Sequence, residues 1–168
     1  MNLDDIQSGS LCVIDTNILL YAEQGISAQA QRLLRRCSTG ELIGILPQTV
    51  WQELVHKLML AEAMMLGKIT GPNPARQLAG KPDVIQSLSI YRKKINAIQS
   101  LCLGFEPCTQ KDLLEDALAL QRKYGLLTND SVVLATALRL KAEILISSDL
   151  AFQKIKEPPV ASPSDLRF

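Results

Sequence analysis

The chain has 168 residues, is 47% apolar, and carries 18 basic and 17 acidic residues for a formal net charge of +1. This length suits one domain with a sizeable core, and the apolar fraction excludes a disordered protein. The apolar runs are too short to span a membrane and the acidic N-terminus lacks the pattern of a secretory signal, so we expect one cytoplasmic domain over residues 1–168 that makes no membrane contact.

Histidine and cysteine are too few and too scattered for the commonest zinc or nucleophile sites. The chain has a single histidine, His56, and four cysteines without a C-x-x-C pair. Scattered cysteines of this kind are usually small buried side chains in a reducing compartment. We therefore expect any catalysis in this protein to rest on carboxylates.

Short apolar runs alternate with helical patterns along the chain. Strands that alternate with helices predict a parallel sheet covered on both faces. The expected fold is thus a three-layer α/β/α architecture with a central, mostly parallel sheet of four or five strands. Apolar runs predict strands at 11–14, 42–46, 101–105 and 143–146.

Helical spacing and breaker residues divide the remainder of the chain. Helices are predicted over 48–66, 84–101 and 130–141, and Asn129 is a suitable N-cap for the last of them. Glycines and prolines predict a loop over 67–82, which allows at most a helical turn. Three prolines predict an extended or poorly ordered C-terminal tail from about residue 158.

Acidic residues stand at the ends of the predicted elements. Asp15 directly follows the first strand, Asp149 follows the fourth after two serines, and Asp130 opens the last helix. The carboxyl ends of parallel strands share one edge of the sheet, where ligands bind in open α/β folds. Glu53 lies one turn into the helix after the second strand. Carboxylates gathered at one edge repel one another unless a cation lies among them, and oxygen ligands favour Mg²⁺ or Mn²⁺.

Each of these acids also has a purely structural explanation. Asp15 is a favoured residue type for capping the next helix. An acid in a first turn, such as Asp130, is stabilised by the helix dipole. Glu53 has Lys57 four residues on, at the spacing of a helical ion pair. The acids taken one at a time therefore leave both explanations open.

Positive charge is concentrated in the middle of the chain. Residues 67–94 contain six basic residues and one acid, a net charge of +5, which leaves −4 for the remainder. We expect a basic helical and loop insertion at about 66–100. The consecutive Arg92, Lys93 and Lys94 are candidates for contacts with a nucleic-acid backbone, and a solvated helix face is the alternative.

Four motifs occur in order along most of the chain. They are Ile14-Asp15-Thr16-Asn17, Glu53, Leu127-Thr128-Asn129-Asp130-Ser131 with Ala135-Thr136-Ala137, and Ser147-Ser148-Asp149 with Phe152. Together they resemble the motifs of a PIN domain, and the ordered set is far more specific than any one of them.

The resemblance implies a nuclease-type site. In that site the carboxylates of Asp15, Glu53, Asp130 and Asp149 hold Mg²⁺ or Mn²⁺. It further implies that Thr16 orients Asp15 or a bound water, and that Asn129 and Ser147 are polar neighbours. Ser147 stands where the family usually has threonine.

The resemblance also implies an activity and partners. The activity would be metal-dependent hydrolysis of phosphodiester bonds in single-stranded RNA. Many small members resemble VapC-type toxins, endoribonucleases that a partner antitoxin neutralises. The alternative is a catalytically idle PIN fold that binds nucleic acid or serves as a scaffold, and the sequence leaves homodimer formation open. Asn17 stands where a haloacid-dehalogenase-type phosphatase needs a second aspartate, and no P-loop motif is present.

Overall fold

A parallel sheet forms the centre of the protein, which we describe from a computed structural model over residues 1–167. Every strand pair is parallel, and the strands lie in the order β3-β2-β1-β4-β5. The fold is three-layered α/β/α, as the sequence predicts. The strands are β1 (Leu11–Ile14), β2 (Ile43–Pro47), β3 (Gly104–Glu106), β4 (Ile144–Ile146) and β5 (Val160–Ala161).

Helices follow the strands as expected for crossover connections. Within residues 1–167 none of them is both long and apolar enough to cross a membrane. Short 3-10 helices cover Leu3–Asp5 and Leu150–Lys154. The α-helices are α1 (Thr16–Glu23), α2 (Ala28–Ser38), α3 (Gln48–Met65), α4 (Pro74–Ala79), α5 (Pro82–Ser87), α6 (Ile90–Gln99), α7 (Lys111–Tyr124) and α8 (Thr128–Arg139).

The order of strands reverses between β1 and β4. The chain runs outward from β1 through β2 to β3, then returns to the other side of β1 with β4 and β5. This reversal is the topological switch point at which open α/β sheets bind ligands. Asp15 follows β1 and Asp149 follows β4, so both acids lie beside the switch point.

The predicted strands β1, β2 and β4 are confirmed with small shifts at their ends, because each is a short apolar run that is largely buried. The exception is Ile43 at the start of β2, which is exposed. The predicted third strand is displaced: it covers Gly104–Glu106, and Leu101 to Leu103 lead into it. The segment after Pro158 is extended and contributes β5. This segment pairs with β4 and is therefore ordered, which the proline content alone did not predict.

The predicted helix over 84–101 is wrong as a single element. The structure breaks it into α5 and α6 at Leu88 and Ser89. The cause is the carboxylate of Glu62 on α3, which accepts hydrogen bonds from the backbone N–H groups of Ser89, Ile90 and Tyr91 at 2.9, 3.0 and 2.8 Å. These are the unpaired donors at the start of α6, so a side chain from elsewhere in the sequence caps this helix.

The basic segment has a small core of its own. A second cluster of buried apolar side chains lies next to the main hydrophobic core. Its members are Ala63, Ile69, Leu78 and Leu88. The loop predicted over 67–82 therefore contains α4 and is held by apolar contacts. Asn129 also lies inside α8, which begins at Thr128 with Leu127 at the N-cap position, so the predicted Asn129 cap is wrong.

Candidate active site

Asp15 lies at the carboxyl end of β1 and is almost fully buried. It is the N-cap of α1, and its Oδ1 accepts a hydrogen bond from the Thr16 backbone N–H at 2.7 Å. Its Oδ2 accepts one from the Ser147 hydroxyl at 2.6 Å and one from the Asn17 amide at 3.0 Å. Asp15 therefore caps α1, as one of the two explanations predicted. Its carboxylate also faces the carboxyl end of β4.

A polar network joins the end of β1 to the end of β4. The Asn17 amide also donates to Ser147 Oγ at 3.3 Å, and the Asn17 carbonyl oxygen accepts from the Ser148 N–H at 3.3 Å. Ser147 Oγ accepts a further bond from the Asp149 N–H at 3.0 Å. The side chain of Asp149 caps the following 3-10 helix by accepting from the Ala151 N–H at 2.8 Å. These bonds fix Asp15 and Asp149 on either side of the switch point.

Glu53 and Asn129 meet across α3 and α8. The Asn129 amide donates to Glu53 Oε2 at 3.4 Å, and Asn129 Oδ1 accepts from the Thr49 hydroxyl at 3.2 Å. Glu53 Oε1 forms an ion pair with Lys57 Nζ at 2.6 Å, one helical turn away. The structural explanation for Glu53 is thus observed, together with a link to the motif on α8.

Electrostatics show that the four acids lie close to one another. Burial raises the pKa of Asp15, and the carboxylates of Glu53 and Asp149 raise it further, against the lowering effect of the bonds from Ser147 and the Thr16 amide. Burial raises the pKa of Asp130 to about 6. The neighbouring charges of Asp149, Asp15 and Glu53 contribute to that rise, in this order. Like charges disfavour ionisation, so these carboxylates repel one another while no cation lies among them.

The donor chemistry of this edge suits a hard divalent cation. Carboxylate, hydroxyl and amide oxygens are the ligands that Mg²⁺ and Mn²⁺ prefer. Thr16 is only 1% exposed, and its hydroxyl has no hydrogen-bond partner within residues 1–167. Over the same residues no three Asp, Glu, His or Cys side chains form a ready ligand set, and Glu53 is paired with Lys57.

A model of the PIN domain family matches residues 12–158. The chain belongs to the PIN domain family. The match covers the ends of β1 and β4, α3 and α8, which are the elements that carry the acids. No curated protein matches the chain in sequence.

Solved structures share this PIN fold at low sequence identity. A toxin-antitoxin complex from Klebsiella pneumoniae matches with a TM-score of 0.61 and 19% identity, covering 92% of this chain and 99% of that one. VapBC2 from Rickettsia felis, bound to a DNA fragment from its promoter, matches with a TM-score of 0.58 and 15% identity, covering 90% and 97%. At these identities the likeness shows the fold.

The three basic candidates are not equivalent in the PIN fold of this chain. Arg92 and Lys93 are exposed on α6. Lys94 Nζ instead pairs with Glu23 Oε1 at 2.6 Å and ties α6 to the last turn of α1. The structure therefore places Lys94 in an ion pair that holds two helices, and leaves Arg92 and Lys93 with free access to solvent.

Sequence reasoning missed two polar positions of the PIN site. Asn17 bridges Asp15, Ser147 and the Ser148 backbone. The Ser148 hydroxyl donates to the Tyr21 hydroxyl oxygen at 3.1 Å. The only signal was the location of Asn17 and Ser148 inside the quoted motifs, since neither residue type is charged or unusual.

Proposed function

We propose that this protein is a metal-dependent endoribonuclease that hydrolyses phosphodiester bonds of single-stranded RNA. The observation that carries the proposal is the position of Asp15 and Asp149 at the carboxyl ends of β1 and β4, where Ser147 bonds to both residues beside the switch point. Burial, and then the charges of Asp149, Asp15 and Glu53, raise the pKa of Asp130. Mutual repulsion of this kind costs folding free energy. A cation bound among the acids removes that cost. Metal binding would therefore explain why the chain carries four mutually repelling carboxylates.

Asp15, Glu53, Asp130 and Asp149 would hold the Mg²⁺ or Mn²⁺. When bound, such an ion supplies Lewis-acid polarisation of a phosphate oxygen. The chain's own residues do the remaining work. Ser147 and the Thr16 amide hold the Asp15 carboxylate in place and oppose the rise in its pKa that burial causes, and Asn17 joins the ends of β1 and β4.

The catalytic test uses purified protein, single-stranded RNA and Mn²⁺ or Mg²⁺. The native protein should cleave the RNA, and EDTA should stop the cleavage. Asp15→Asn keeps the side-chain shape but removes one charge, so it should be inactive with a native circular dichroism spectrum. Asp116→Asn, an exposed change on α7, is the matched control and should cleave normally. Undiminished cleavage by Asp15→Asn would contradict the proposal.

We further propose that the protein acts as the toxin of a toxin-antitoxin pair. The support is the fold shared with toxin-antitoxin complexes over nearly the whole chain. Expression of the protein alone should then arrest growth, and the product of an adjacent small reading frame should relieve the arrest and co-purify with it. Growth arrest that persists with Asp15→Asn would contradict an enzymatic toxin.

A catalytically idle PIN module is the second candidate. The ion pair between Glu53 and Lys57 at 2.6 Å favours it, because one acid already has an internal partner. This candidate predicts nucleic-acid binding without cleavage, and binding that Asp15→Asn leaves unchanged. The same cleavage and binding assays therefore separate the two candidates.

A further inference from the structure

A separate pocket lies next to the acids on the β5 side of the sheet. Its volume is 240 Å³, and its walls come from the end of β4, the 3-10 helix and the end of β5. Because the two strands are parallel, their carboxyl ends lie side by side, with Asp149 following β4 and Ser162 following β5. The pocket therefore opens directly beside Asp149, on the side of β4 that faces away from β1.

The lining of this pocket combines an apolar wall with uncharged polar groups. Phe152, Ile155 and Val160 supply the apolar part, and Ser148, Gln153 and Ser162 the polar part. Its only charged lining residue is Asp149, and the lining contains no lysine or arginine. The lining offers a phosphate no cationic side chain, so the pocket suits a neutral group.

Two polar side chains of the pocket are available to a ligand. The Gln153 carboxamide and the Ser162 hydroxyl make no side-chain hydrogen bond to another residue of the described chain, whereas Ser147 and Ser148 are engaged in the network around Asp15. Gln153 is exposed on the 3-10 helix. A carboxamide offers a donor and an acceptor side by side, which complements the edge of an unpaired base.

The size of the pocket agrees with one base. A volume of 240 Å³ equals about eight water molecules at ~30 Å³ each. This is room for a single flat ring system, too little for a base pair. Sequence-specific readers of RNA splay single bases out of the strand and bond their edges.

We propose that this pocket binds one unpaired nucleobase of the RNA next to the scissile phosphate, with Gln153 and Ser162 reading its edge. The proposal rests on the proposed ribonuclease function and assigns it a specificity site. Gln153 and Ser162 would set which base is accepted, while the acids act on the neighbouring phosphodiester.

The test begins with the cleavage pattern on an RNA pool of random sequence. The native protein should show a base preference at one position beside the cut. Gln153→Ala should erase that preference and slow cleavage at preferred sites by about tenfold, the loss expected for one base contact. Gln99→Ala, an exposed glutamine at the end of α6, is the matched control and should keep the native pattern.

A second measurement does not depend on cleavage. Metal-free protein labelled with ¹⁵N is titrated with the four ribonucleosides, which carry the base without a charged phosphate. The Gln153 side-chain amide and the Ser162 backbone amide should shift with the preferred base and not with the others. Ser162→Ala should weaken that response while the remaining spectrum stays native.

The outcomes separate the two proposals. If native protein cleaves RNA and Gln153→Ala keeps its base preference, the pocket proposal is wrong and the ribonuclease proposal stands. Equal or absent shifts with all four ribonucleosides would also overturn the pocket proposal. If the native protein cleaves no RNA in Mn²⁺ or Mg²⁺, the ribonuclease proposal falls and the pocket proposal falls with it.

Discussion

The Ser147 hydroxyl donates a hydrogen bond of 2.6 Å to Oδ2 of Asp15, and both residues are buried. This bond joins the carboxyl ends of β1 and β4, which are 132 residues apart in the chain. A hydrogen bond to a carboxylate favours the ionised form. Ser147 therefore offsets part of the cost of burying the Asp15 charge.

The first prediction concerns that bond. Ser147→Ala should lower the free energy of unfolding by about 1.5–3 kcal/mol, the range for a lost bond to a charged group. It should also weaken Mn²⁺ binding, because Asp15 ionises less readily. Ser147→Thr keeps the hydroxyl and should restore both properties. Urea unfolding and calorimetric Mn²⁺ titration measure them, and equal behaviour of the Ala and Thr variants would contradict the role of the hydroxyl.

The second prediction follows from repulsion among the acids. An ion bound only by the folded protein at ~100 times its Kd adds ~2.7 kcal/mol. For a chain of this size that corresponds to a rise of roughly 5–10 °C in melting temperature. Millimolar Mn²⁺ should therefore raise the melting temperature of the native protein.

The variant Asp149→Asn tests the direction in which the melting temperature changes, without metal and with it. The amide oxygen can still cap the 3-10 helix, so the change removes mainly charge. In EDTA this variant should melt higher than the native protein, yet it should gain less from Mn²⁺. Asp116→Asn on α7 should behave like the native protein in both conditions. The metal-site hypothesis is falsified if Asp149→Asn melts lower in EDTA and the native protein ignores Mn²⁺ and Mg²⁺.

The third prediction is a pH dependence set by Asp130. Its pKa of about 6 in the folded state lies above the value of 3.8 for a free side chain, so the metal-free folded protein binds the proton more tightly. The stabilisation from this proton is present below about pH 4 and is lost as the pH rises through 6. Asp130→Asn should flatten the pH dependence of unfolding over this window.

The same group should compete with metal. A ligand carboxylate must be ionised, so protonation weakens binding. With a pKa of about 6, Mn²⁺ affinity should fall about tenfold between pH 7 and pH 5. Calorimetric titrations at the two pH values measure this change, and an affinity independent of pH would show that Asp130 is no ligand.

The fourth prediction concerns Glu62. Burial raises the pKa of this carboxyl, but the bonds from the Ile90, Tyr91 and Ser89 amides outweigh burial, and the net shift is downward. Its stabilising effect is therefore present above the pKa of the unfolded chain and is lost as the pH falls through the lower folded pKa. Glu62→Ala should cost about 2–4 kcal/mol at neutral pH, because three donors lose their acceptor.

Urea unfolding at pH 7 and pH 3 measures this effect. The difference between Glu62→Ala and the native protein should shrink at the lower pH. Glu115→Ala on α7 removes an exposed glutamate with a weak helical ion pair to Lys111, and should change stability by less than about 0.5 kcal/mol. A cost for Glu62→Ala no larger than this control would contradict the capping role.

The fifth prediction separates the basic residues of α6. Each phosphate contact on single-stranded RNA contributes about −0.7 to the slope of log affinity against log salt. The double change Arg92→Ala and Lys93→Ala should flatten the slope by about 1.4 if both side chains contact phosphate. Lys94→Ala should leave the slope nearly native, since Lys94 already pairs with Glu23.

A control for charge alone comes from α7. The double change Lys111→Ala and Lys123→Ala removes the same net charge from another helix and should leave the slope unchanged. If both double variants flatten the slope equally, the effect reflects overall charge and α6 has no special role. Filter binding across a salt series gives all the slopes.

The sequence predicted correctly those elements whose position depends only on residues close together in the chain. The runs at β1, β2 and β4 are apolar throughout, which predicts strands that are buried over most of their length. The break between α5 and α6 had no such signal, because Glu62 caps α6 from 27 residues away. A helix end satisfied by a distant side chain leaves no mark in the sequence around it.

The sequence by itself determined the fold class, the order of the motifs and the identity of the acids that follow the strands. Only the tertiary structure decided what each acid meets. It gave Asp15 a hydroxyl from the end of β4, paired Glu53 with Lys57, and raised the pKa of Asp130 through burial and through charges from other elements. The physical reason is that strand position fixes the edge on which a side chain lies, whereas its hydrogen bonds and pKa depend on neighbours that only folding brings near.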